Sequence, residues 1–207
     1  TVLMNSTSQA SLNYNPFSST ALTGVVGALY EPLFYMNNLK DDPTKLEPLM
    51  GKSYTISDDA KTIDVTIRDG EKWSDGKPYT AEDVEYTFNL LNSNKALNTS
   101  GFAGSVKALS DTEVRITLDK PESVNALSYL SGTMIVPKHV WEKIDDPVTY
   151  TNKDAVGSGP FTVKGGNFSP TAYTFKKNPY YWDEGKPEID GVRYVLITGG
   201  TQASQNA

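Results

Sequence analysis

Apolar and polar residues alternate along two stretches in the middle of the chain, and this pattern predicts two β-hairpins. In the run 62–68, apolar side chains fall on every second residue, so they share one face of a strand. The run 52–56 is its predicted partner, and the turn 57–61 between them contains two aspartates, which favour turns. A second alternating pair, 106–109 and 114–118, flanks another polar turn and predicts the second hairpin.

A helix is predicted between the two hairpins. The sequence Thr-Ala-Glu-Asp at 80–83 matches a capping box, in which a hydroxyl and a carboxylate satisfy the first free N–H groups of a helix. Val84, Phe88 and Leu91 follow at helical spacing, so they form the predicted buried stripe of a helix that runs to about Asn92.

The rest of the chain mixes short strands and short helices without a regular β–α alternation, which indicates a mixed α/β or α+β fold. The strand at 192–197 is apolar on both faces and is therefore predicted to lie inside a sheet. The residues 201–207 are predicted to open a further helix. The other predicted strands are 1–5, 161–164 and 172–176, and the other predicted helices are 21–30, 122–130 and 138–144.

Composition narrows the possible functions. The 207 residues can form one domain or two small subdomains with a buried core. The net charge of −6 argues against a nucleic-acid partner, which would require a basic face. The absence of cysteine excludes disulfides and thiolate ligands, and the single histidine, His139, excludes a multi-histidine metal site. We therefore predict neither a metal ion nor a cofactor.

Three features could carry chemistry, but the residues themselves favour ordinary structural roles. Trp73 precedes the turn sequence Ser-Asp-Gly, and we favour a packed indole that positions the next helix over one that stacks on a sugar or peptide. Asp58 and Asp59 lie in a predicted turn, so a solvated turn is favoured over a metal or glycosidase site. His139 starts a predicted helix, where a surface or capping role is favoured over general base catalysis.

One long motif and six shorter ones occur along the chain. The long motif is Trp73-Ser-Asp-Gly-Lys-Pro-Tyr-Thr-Ala-Glu-Asp-Val84, followed by Tyr86-Thr-Phe88. The shorter ones are Tyr30-Glu-Pro-Leu-Phe34, Leu46-Glu-Pro-Leu49, Ile67-Arg-Asp-Gly70, Val136-Pro-Lys-His-Val-Trp141, Val156-Gly-Ser-Gly-Pro-Phe161 and Asn178-Pro-Tyr-Tyr-Trp-Asp-Glu-Gly-Lys-Pro187. Taken together and in this order, they resemble the motifs of the peptide/nickel-type solute-binding proteins of ABC importers, also called cluster C or bacterial family 5.

This resemblance implies a mixed α/β fold, a type II periplasmic-binding-protein lobe with an inserted α+β subdomain. Residues 1–40 and 135–207 are then expected to form the core of the lobe, and residues 41–134 the inserted subdomain. Family members have two lobes and more than twice this length. The resemblance therefore also implies an N-terminal fragment that lacks the second lobe, the closing C-terminal segment and the signal segment.

The resemblance also implies a function without catalysis. Family members capture an extracellular solute, most often an oligopeptide, between two closing lobes and deliver it to an ABC permease in the membrane. For this chain, the implied partners are an oligopeptide and a permease, with no nucleic acid and no cofactor. The implied location is outside the cytoplasm, in the periplasm or on the cell surface as a lipoprotein.

The resemblance places candidate ligand-binding residues in the loop after the first strand. Their hydroxyls and exposed backbone groups suit a peptide main chain, and two phenylalanines could supply an apolar wall. The alternative for this segment is an ordinary Asn-Pro turn in a mobile loop. The candidate ligand-binding residues are Asn15, Phe17, Ser18, Ser19, Thr20, Leu22 and Phe102.

Other functions stay open at this stage. The solute could be a cello-oligosaccharide or another small molecule, because the family binds several classes of solute. Carboxylates near Trp and Tyr residues also fit a glycoside hydrolase fragment, which requires two facing carboxyl groups. A structural or adhesive surface module would need no cleft at all.

Overall fold

Strands in three sheets and three helices make up the regular structure of the computed structural model, which describes residues 1–6, 8–40, 42 and 45–198. An irregular helical turn spans Val25–Leu29. The helices are α1 (Ala81–Ser93), α2 (Ser123–Gly132) and α3 (Lys138–Trp141). The strands are β1 (Val2–Ser6), β2 (Phe34–Tyr35), β3 (Glu47–Pro48), β4 (Gly51–Ile56), β5 (Thr62–Ile67), β6 (Gly104–Ala108), β7 (Glu113–Leu118), β8 (Phe161–Ser169), β9 (Ala172–Lys177) and β10 (Gly191–Thr198).

The first sheet joins the two ends of the described chain. Its strand order is β1-β10-β9-β8, with β1 parallel to β10 and the remaining pairs antiparallel. Val2 pairs with Tyr194, and Asn5 pairs with Ile197. This confirms the expectation that the first strand and the strand 192–197 share a sheet, and that the latter lies inside it.

The second sheet is built from the two predicted hairpins, and its strand order is β4-β5-β7-β6. Ile63 pairs with Ile116 and Val65 with Val114, so the alternating apolar residues of β5 and β7 meet on one buried face. Each such side chain contributes about 1.5–3 kcal/mol when it is fully buried. The turn before β5 is held locally, because Asp59 accepts hydrogen bonds from its neighbours, as expected for a turn aspartate.

Helix α1 packs between two hydrophobic clusters. Val84 and Phe88 belong to the cluster beneath the second sheet, while Tyr86 and Leu90 pack against the cluster of the first sheet. The capping box at 80–83 is present, which confirms the predicted start of the helix. Leu91, the third member of the predicted stripe, is also buried. The amphipathic pattern therefore has a second, weaker apolar face, by which the helix connects both halves of the molecule.

The predicted helix at 21–30 is wrong. Only the short turn Val25–Leu29 is helical, and within it Val26 has extended backbone angles. Gly24 and Gly27 both adopt positive φ angles, of 87° and 88°, which no regular right-handed helix contains. A side chain at Gly24 would overlap the ring of Tyr194, so the turn is shaped by close packing onto β10.

Smaller differences from the sequence predictions occur near the first sheet. Strand β8 continues to Ser169 rather than ending at 164, because a bulge between Thr162 and Asn167 carries it past two glycines. Helix α3 ends at Trp141 rather than 144. The helix predicted to open at 201–207 lies outside the described residues. The division into 1–40 with 135–207 and an inserted 41–134 stays a prediction.

None of the helices formed by residues 1–6, 8–40, 42 and 45–198 has the length and apolar character that crossing a bilayer requires.

Candidate functional site

The buried carboxylate of Asp83 connects the long motif at 73–84 to the motif at 136–141. It accepts hydrogen bonds from the indole Nε1 of Trp73 at 3.1 Å, from the backbone N–H of Thr80 at 2.9 Å and from that of Lys138 at 2.8 Å. Burial raises the pKa of this carboxyl group, and the hydrogen bonds counteract that rise. Trp73 is fully buried, which agrees with its predicted structural role.

Glu31 forms a second connection between motifs. Its carboxylate accepts hydrogen bonds from the Tyr181 hydroxyl at 2.8 Å and from the Trp182 indole at 3.2 Å. The guanidinium of Arg68 lies 3.9 Å from the centre of the Trp182 ring, a cation–π contact on the far side of this group. Burial raises the pKa of Glu31 to about 7, against the lowering effect of its two hydrogen bonds.

The remaining motifs join the same network through backbone groups. Ser74 and Gly157 exchange two hydrogen bonds, from Ser74 N–H to the Gly157 carbonyl at 3.0 Å and from Gly157 N–H to Ser74 Oγ at 3.1 Å. Asn178 donates to the Gly159 carbonyl at 2.8 Å. Gly157 and Gly159 lie so close to the backbone at Leu29 that a Cβ atom at either would overlap it. Hydrogen bonds and ring contacts therefore link these motifs to one another in the fold.

The predicted ligand loop is held in shape by two asparagines. Asn13 donates to the hydroxyls of Ser18 and Thr20 at 2.9 and 3.0 Å. Asn15 is fully buried, and its amide donates to the backbone carbonyls of Pro147 and Tyr150. Its side-chain oxygen accepts a hydrogen bond from the Phe17 N–H. The amide of Asn15 therefore forms its hydrogen bonds within the protein. These bonds hold the loop against the segment that precedes β8.

A cavity of about 260 Å³ brings together three of the predicted residues, and we call it the loop cavity. Phe17, Ser18 and Ser19 line one side of it. Phe17 also packs edge-on against the Trp141 ring, with the ring centres 5.5 Å apart. The other lining residues come from the ends of α1 and α2 and from the loops that follow them: Leu91, Leu97, Thr99, Ser100, Gly132, Thr133 and Met134, together with Pro16.

Thr133 is the unusual member of the loop cavity. Only 4% of its surface is exposed, and its hydroxyl oxygen has no hydrogen-bond partner among the described residues. A buried hydroxyl without a partner is costly, and such groups are rare in folded proteins. The hydroxyl oxygen of Thr133 is therefore enclosed by the protein, although other atoms of the residue line the cavity.

Thr20 and Leu22 line a second cavity of about 350 Å³, at the carboxyl end of β1. The loop between Asn13 and Leu22 therefore lies along two neighbouring depressions rather than in one pocket. The crevice outside the carboxyl ends of strands is a common ligand position in α/β proteins. The second cavity is lined by Met4, Asn5, Ser6, Ser8, Gln9, Ala10, Ser11, Thr20, Ala21, Leu22, Thr23, Tyr173 and Leu196.

Phe102 is not among the described residues that line either cavity. Its side chain is 2% exposed and packs against the rings of Phe88 and Tyr129, at 4.7 and 5.3 Å between centres. Asn98 closes the loop before it, by accepting a hydrogen bond from the Phe102 N–H and donating one to its carbonyl. Phe102 therefore holds the loop that carries two lining residues, Thr99 and Ser100, in place.

A larger cavity of about 500 Å³ lies beside β8 and has a different character. Charged residues such as Asp75, Lys153, Asp154 and Lys164 line it, and the predicted ligand-binding residues are not among the described residues on its wall. Asp75 pairs with His139 across 2.9 Å, so the single histidine has a surface pairing role.

Sequence reasoning missed Thr133, Thr99 and Ser100. Thr99 and Ser100 belong to the tripeptide Asn98-Thr-Ser, whose pattern also fits a glycosylation acceptor. The sequence signal for these three residues is their position in short polar segments that follow the amphipathic helices α1 and α2. These segments interrupt otherwise apolar sequence. Only the fold shows that these segments meet the loop after β1.

Comparison with known proteins identifies the family. The family described as "Bacterial extracellular solute-binding proteins, family 5 Middle" matches residues 45–207, well over half of the chain. This chain belongs to that family. The motif resemblance is thereby confirmed, and the mixed α/β fold is that of periplasmic binding proteins of family 5.

The curated relatives of this family 5 chain include several peptide-related binding proteins. The dipeptide-binding protein DppE of Bacillus subtilis is 27% identical over 209 residues, which cover 88% of this chain and 38% of DppE. The peptidoglycan-binding protein YepA of Agrobacterium fabrum is 30% identical over 205 residues, which cover 89% of this chain and 32% of YepA. The chain thus spans about a third of the length of these relatives.

A solved structure shows the same fold. The periplasmic oligopeptide-binding protein of an oligopeptide ABC transporter from Thermotoga maritima superposes with a TM-score of 0.84 at 26% identity. The match covers 99% of this chain and 39% of the Thermotoga chain. The match therefore includes the loop after β1, which precedes the region matched by the family model.

Proposed function

We propose that this chain forms one wall of a peptide-binding site in the solute-binding component of an ABC importer. The observation that carries the proposal is the loop cavity, where Phe17, Ser18 and Ser19 meet Thr99, Ser100 and Thr133. This arrangement occurs in a chain whose family consists of solute-binding proteins. The names of the relatives, which include dipeptide-binding and peptidoglycan-binding proteins, support a peptide as the solute.

The chemistry of the loop suits a peptide main chain. The hydroxyl of Ser19 can donate and accept a hydrogen bond, as peptide N–H and C=O groups require. The hydroxyls of Ser18 and Thr20 already bond to Asn13 and to each other, and they hold the loop in shape. Phe17 supplies an apolar contact beside them. In this proposal Asn15 and Phe102 have supporting roles, because both are buried and packed or bonded within the protein.

The proposal includes the partners and the location. The solute is delivered to a membrane permease, and the protein acts outside the cytoplasm, in the periplasm or as a surface lipoprotein. Binding is followed by release rather than by bond cleavage, so we propose that the chain has no enzymatic activity. The comparisons do not favour the glycoside hydrolase or the oligosaccharide alternatives.

Calorimetric titration of the natural protein that carries this chain tests the proposal. The probes are trialanine and cellotriose, and we expect binding of trialanine with no binding of cellotriose. Phe17→Ala is expected to weaken trialanine binding about tenfold or more, since it removes an apolar wall. Tyr35→Ala is the matched control, because this exposed aromatic residue lies on β2, outside the lining of both cavities.

The same preparations decide between binding and catalysis. Incubation with cellotriose and with trialanine is followed by a reducing-sugar assay and by chromatography of free alanine. Unchanged solutes are expected. Cellotriose binding with cleavage would instead support the hydrolase alternative, and cellotriose binding without cleavage would support the oligosaccharide-binding alternative.

A further inference from the structure

We propose that the cavity beside β8 is a second binding site, separate from the proposed peptide site, for a free α-amino acid with a large apolar side chain. We call it the β8 cavity, and it is lined by Leu12, Tyr14 and residues 74–75, 153–156 and 162–168. It shares no described lining residue with either of the two smaller cavities. A ligand can therefore bind there whether or not the proposed function is correct.

The β8 cavity has the size of a small-molecule site. Its volume is about 500 Å³, and small-molecule sites commonly measure about 300–1,000 Å³. At about 30 Å³ for each water-sized group, it holds roughly sixteen non-hydrogen atoms, which is more than phenylalanine contains. A whole amino acid therefore fits, including a large side chain.

Charged groups of both signs on the wall of the β8 cavity have no charged partner. Lys153, Asp154 and Lys164 form no ion pair and no side-chain hydrogen bond with another described residue. The fourth charged lining residue, Asp75, is already paired with His139 at 2.9 Å. Because Lys153, Asp154 and Lys164 are exposed, an entering ligand can reach them. Unpaired charges of both signs favour a ligand that carries both a carboxylate and an ammonium group.

The order of these charges favours a single amino acid over a peptide. Lys153 and Asp154 are neighbours in sequence, so their Cα atoms lie about 3.8 Å apart. In a free amino acid the ammonium and carboxylate groups are bonded to one carbon atom, whereas in a peptide they lie at opposite ends. We therefore expect Asp154 to accept hydrogen bonds from the α-ammonium group, and Lys153 and Lys164 to donate to the α-carboxylate.

Apolar side chains form much of the remaining wall. Tyr14 is buried, and Leu12, Val156, Val163 and Phe168 are half-buried. An apolar ligand side chain gains free energy when it leaves water for such a surface. The rings of Tyr14 and Phe168 also allow edge or stacked contacts with an aromatic ligand. The wall therefore favours phenylalanine over glycine.

The irregular part of β8 coincides with the β8 cavity. The pairing of β8 with β9 shifts register between Thr162 and Asn167. Within this stretch Gly165 and Gly166 line the cavity, so the wall there has no side chains. A Cβ atom at Gly166 would overlap the Thr174 carbonyl, so the stretch must remain free of a side chain at that position. Bulges of this kind are common beside functional sites.

Calorimetric titration of the natural protein that carries this chain tests the proposal, with L-phenylalanine as the probe. Phenylpropanoate lacks the ammonium group, phenethylamine lacks the carboxylate, and glycine lacks the side chain. We expect L-phenylalanine to bind with a dissociation constant of about 1 mM or lower. Each single-charge analogue should bind about three- to fivefold more weakly, because one exposed charge pair is lost. Glycine should show no binding at millimolar concentration.

Variants of the charged wall assign each contact. Asp154→Asn should weaken L-phenylalanine and phenethylamine about three- to fivefold without weakening phenylpropanoate. The double variant Lys153→Gln with Lys164→Gln should weaken L-phenylalanine and phenylpropanoate without weakening phenethylamine. Lys143→Gln and Asp145→Asn are the matched controls, because both residues are exposed and lie outside the described lining, and both variants should bind as the wild type does. If L-phenylalanine binds equally to all of these variants, the β8 cavity is not its site.

Trialanine separates this site from the proposed peptide site. Binding of L-phenylalanine is expected to be unchanged by saturating trialanine and by Phe17→Ala. Displacement by trialanine would place the amino acid in the peptide site, which overturns the second site and leaves the proposed function standing. No binding of L-phenylalanine at millimolar concentration would also overturn the second site. Binding of L-phenylalanine to the β8 cavity without any binding of trialanine would support the second site and overturn the proposed function.

Discussion

The indole of Trp73 donates a hydrogen bond to the carboxylate of Asp83 across 3.1 Å, and both groups are buried. This contact joins a turn to the first turn of α1 and, through the N–H of Lys138, to the start of α3. The Trp73 ring also packs on Tyr79, with 4.7 Å between the ring centres. The structure thus explains why a tryptophan and an aspartate ten residues apart act as one unit.

Trp73→Ala is expected to destabilise the protein by about 3–5 kcal/mol, because it leaves a large cavity and removes the indole hydrogen bond. Urea denaturation followed by circular dichroism measures the loss. Trp182→Phe serves for comparison, since Trp182 is only half-buried. Unchanged stability of Trp73→Ala with abolished solute binding would instead assign Trp73 to the solute site.

Asp83→Ala is expected to cost about 3 kcal/mol or more, since three donors lose a charged acceptor in a buried position. Asp58→Ala is a suitable control, because Asp58 is exposed in the turn after β4 and should change stability by less than about 0.5 kcal/mol. Thermal unfolding of both variants at neutral pH provides the comparison. Equal melting temperatures for the two variants would contradict the bridging role of Asp83.

Glu31 predicts a specific dependence of stability on pH. Its pKa in the folded protein is about 7, above its ordinary value of 4.5, so folding favours the protonated form. The stabilising contribution is complete below about pH 4.5 and is lost as the pH rises through about 7, by about 3 kcal/mol in total. Tyr79, Tyr181 and Asp183 face this carboxyl group, and the charge of Asp183 adds to the rise in pKa.

Glu31→Gln tests this dependence because glutamine does not titrate. The difference in unfolding free energy between wild type and Glu31→Gln should change by about 3 kcal/mol between pH 4.5 and pH 8. Glu184→Gln, an exposed position in the same segment as Tyr181, controls for the general effect of removing a carboxylate. A difference between wild type and Glu31→Gln that stays constant with pH would contradict the raised pKa.

Gly24 and Gly27 offer a matched pair for backbone strain. Both have φ angles near 90°, so alanine at either costs about 1–2 kcal/mol. A Cβ atom at Gly24 would also overlap the Tyr194 ring, whereas one at Gly27 would meet no heavy atom within 4 Å among the described residues outside its own turn. We therefore expect Gly24→Ala to lower the melting temperature more than Gly27→Ala. The reverse order would contradict the packing of this turn against β10.

The sequence was sufficient for elements whose information is local. Ile63, Val65 and Ile67 alternate because one face of their strand is buried, and residues 80–83 carry their own capping groups, so pattern alone located both elements. The helix prediction at 21–30 was wrong because the apolar residues of this segment suggested a helix. Two glycines in the segment favoured another backbone path.

Only the loop of the candidate site could be proposed from the sequence. The loop after β1 was identified by resemblance, and three of its residues line the loop cavity. Thr133 was not found, because its burial and its unpartnered hydroxyl depend on three segments far apart in sequence that meet only in the folded chain. Likewise, the motifs revealed the family but not that Glu31 contacts Tyr181 and Trp182.

The parallel pairing of β1 with β10 also has a consequence for the order of folding. Val2 can pair only when Tyr194 is present, and almost the whole described chain separates these two residues in sequence. The hairpins of the second sheet form between strands that are close in sequence. Contacts between distant residues form slowly, because a long loop must close first. During synthesis, β4 to β7 can therefore assemble early, while Val2 and Leu3 remain an unpaired apolar edge until β10 emerges from the ribosome.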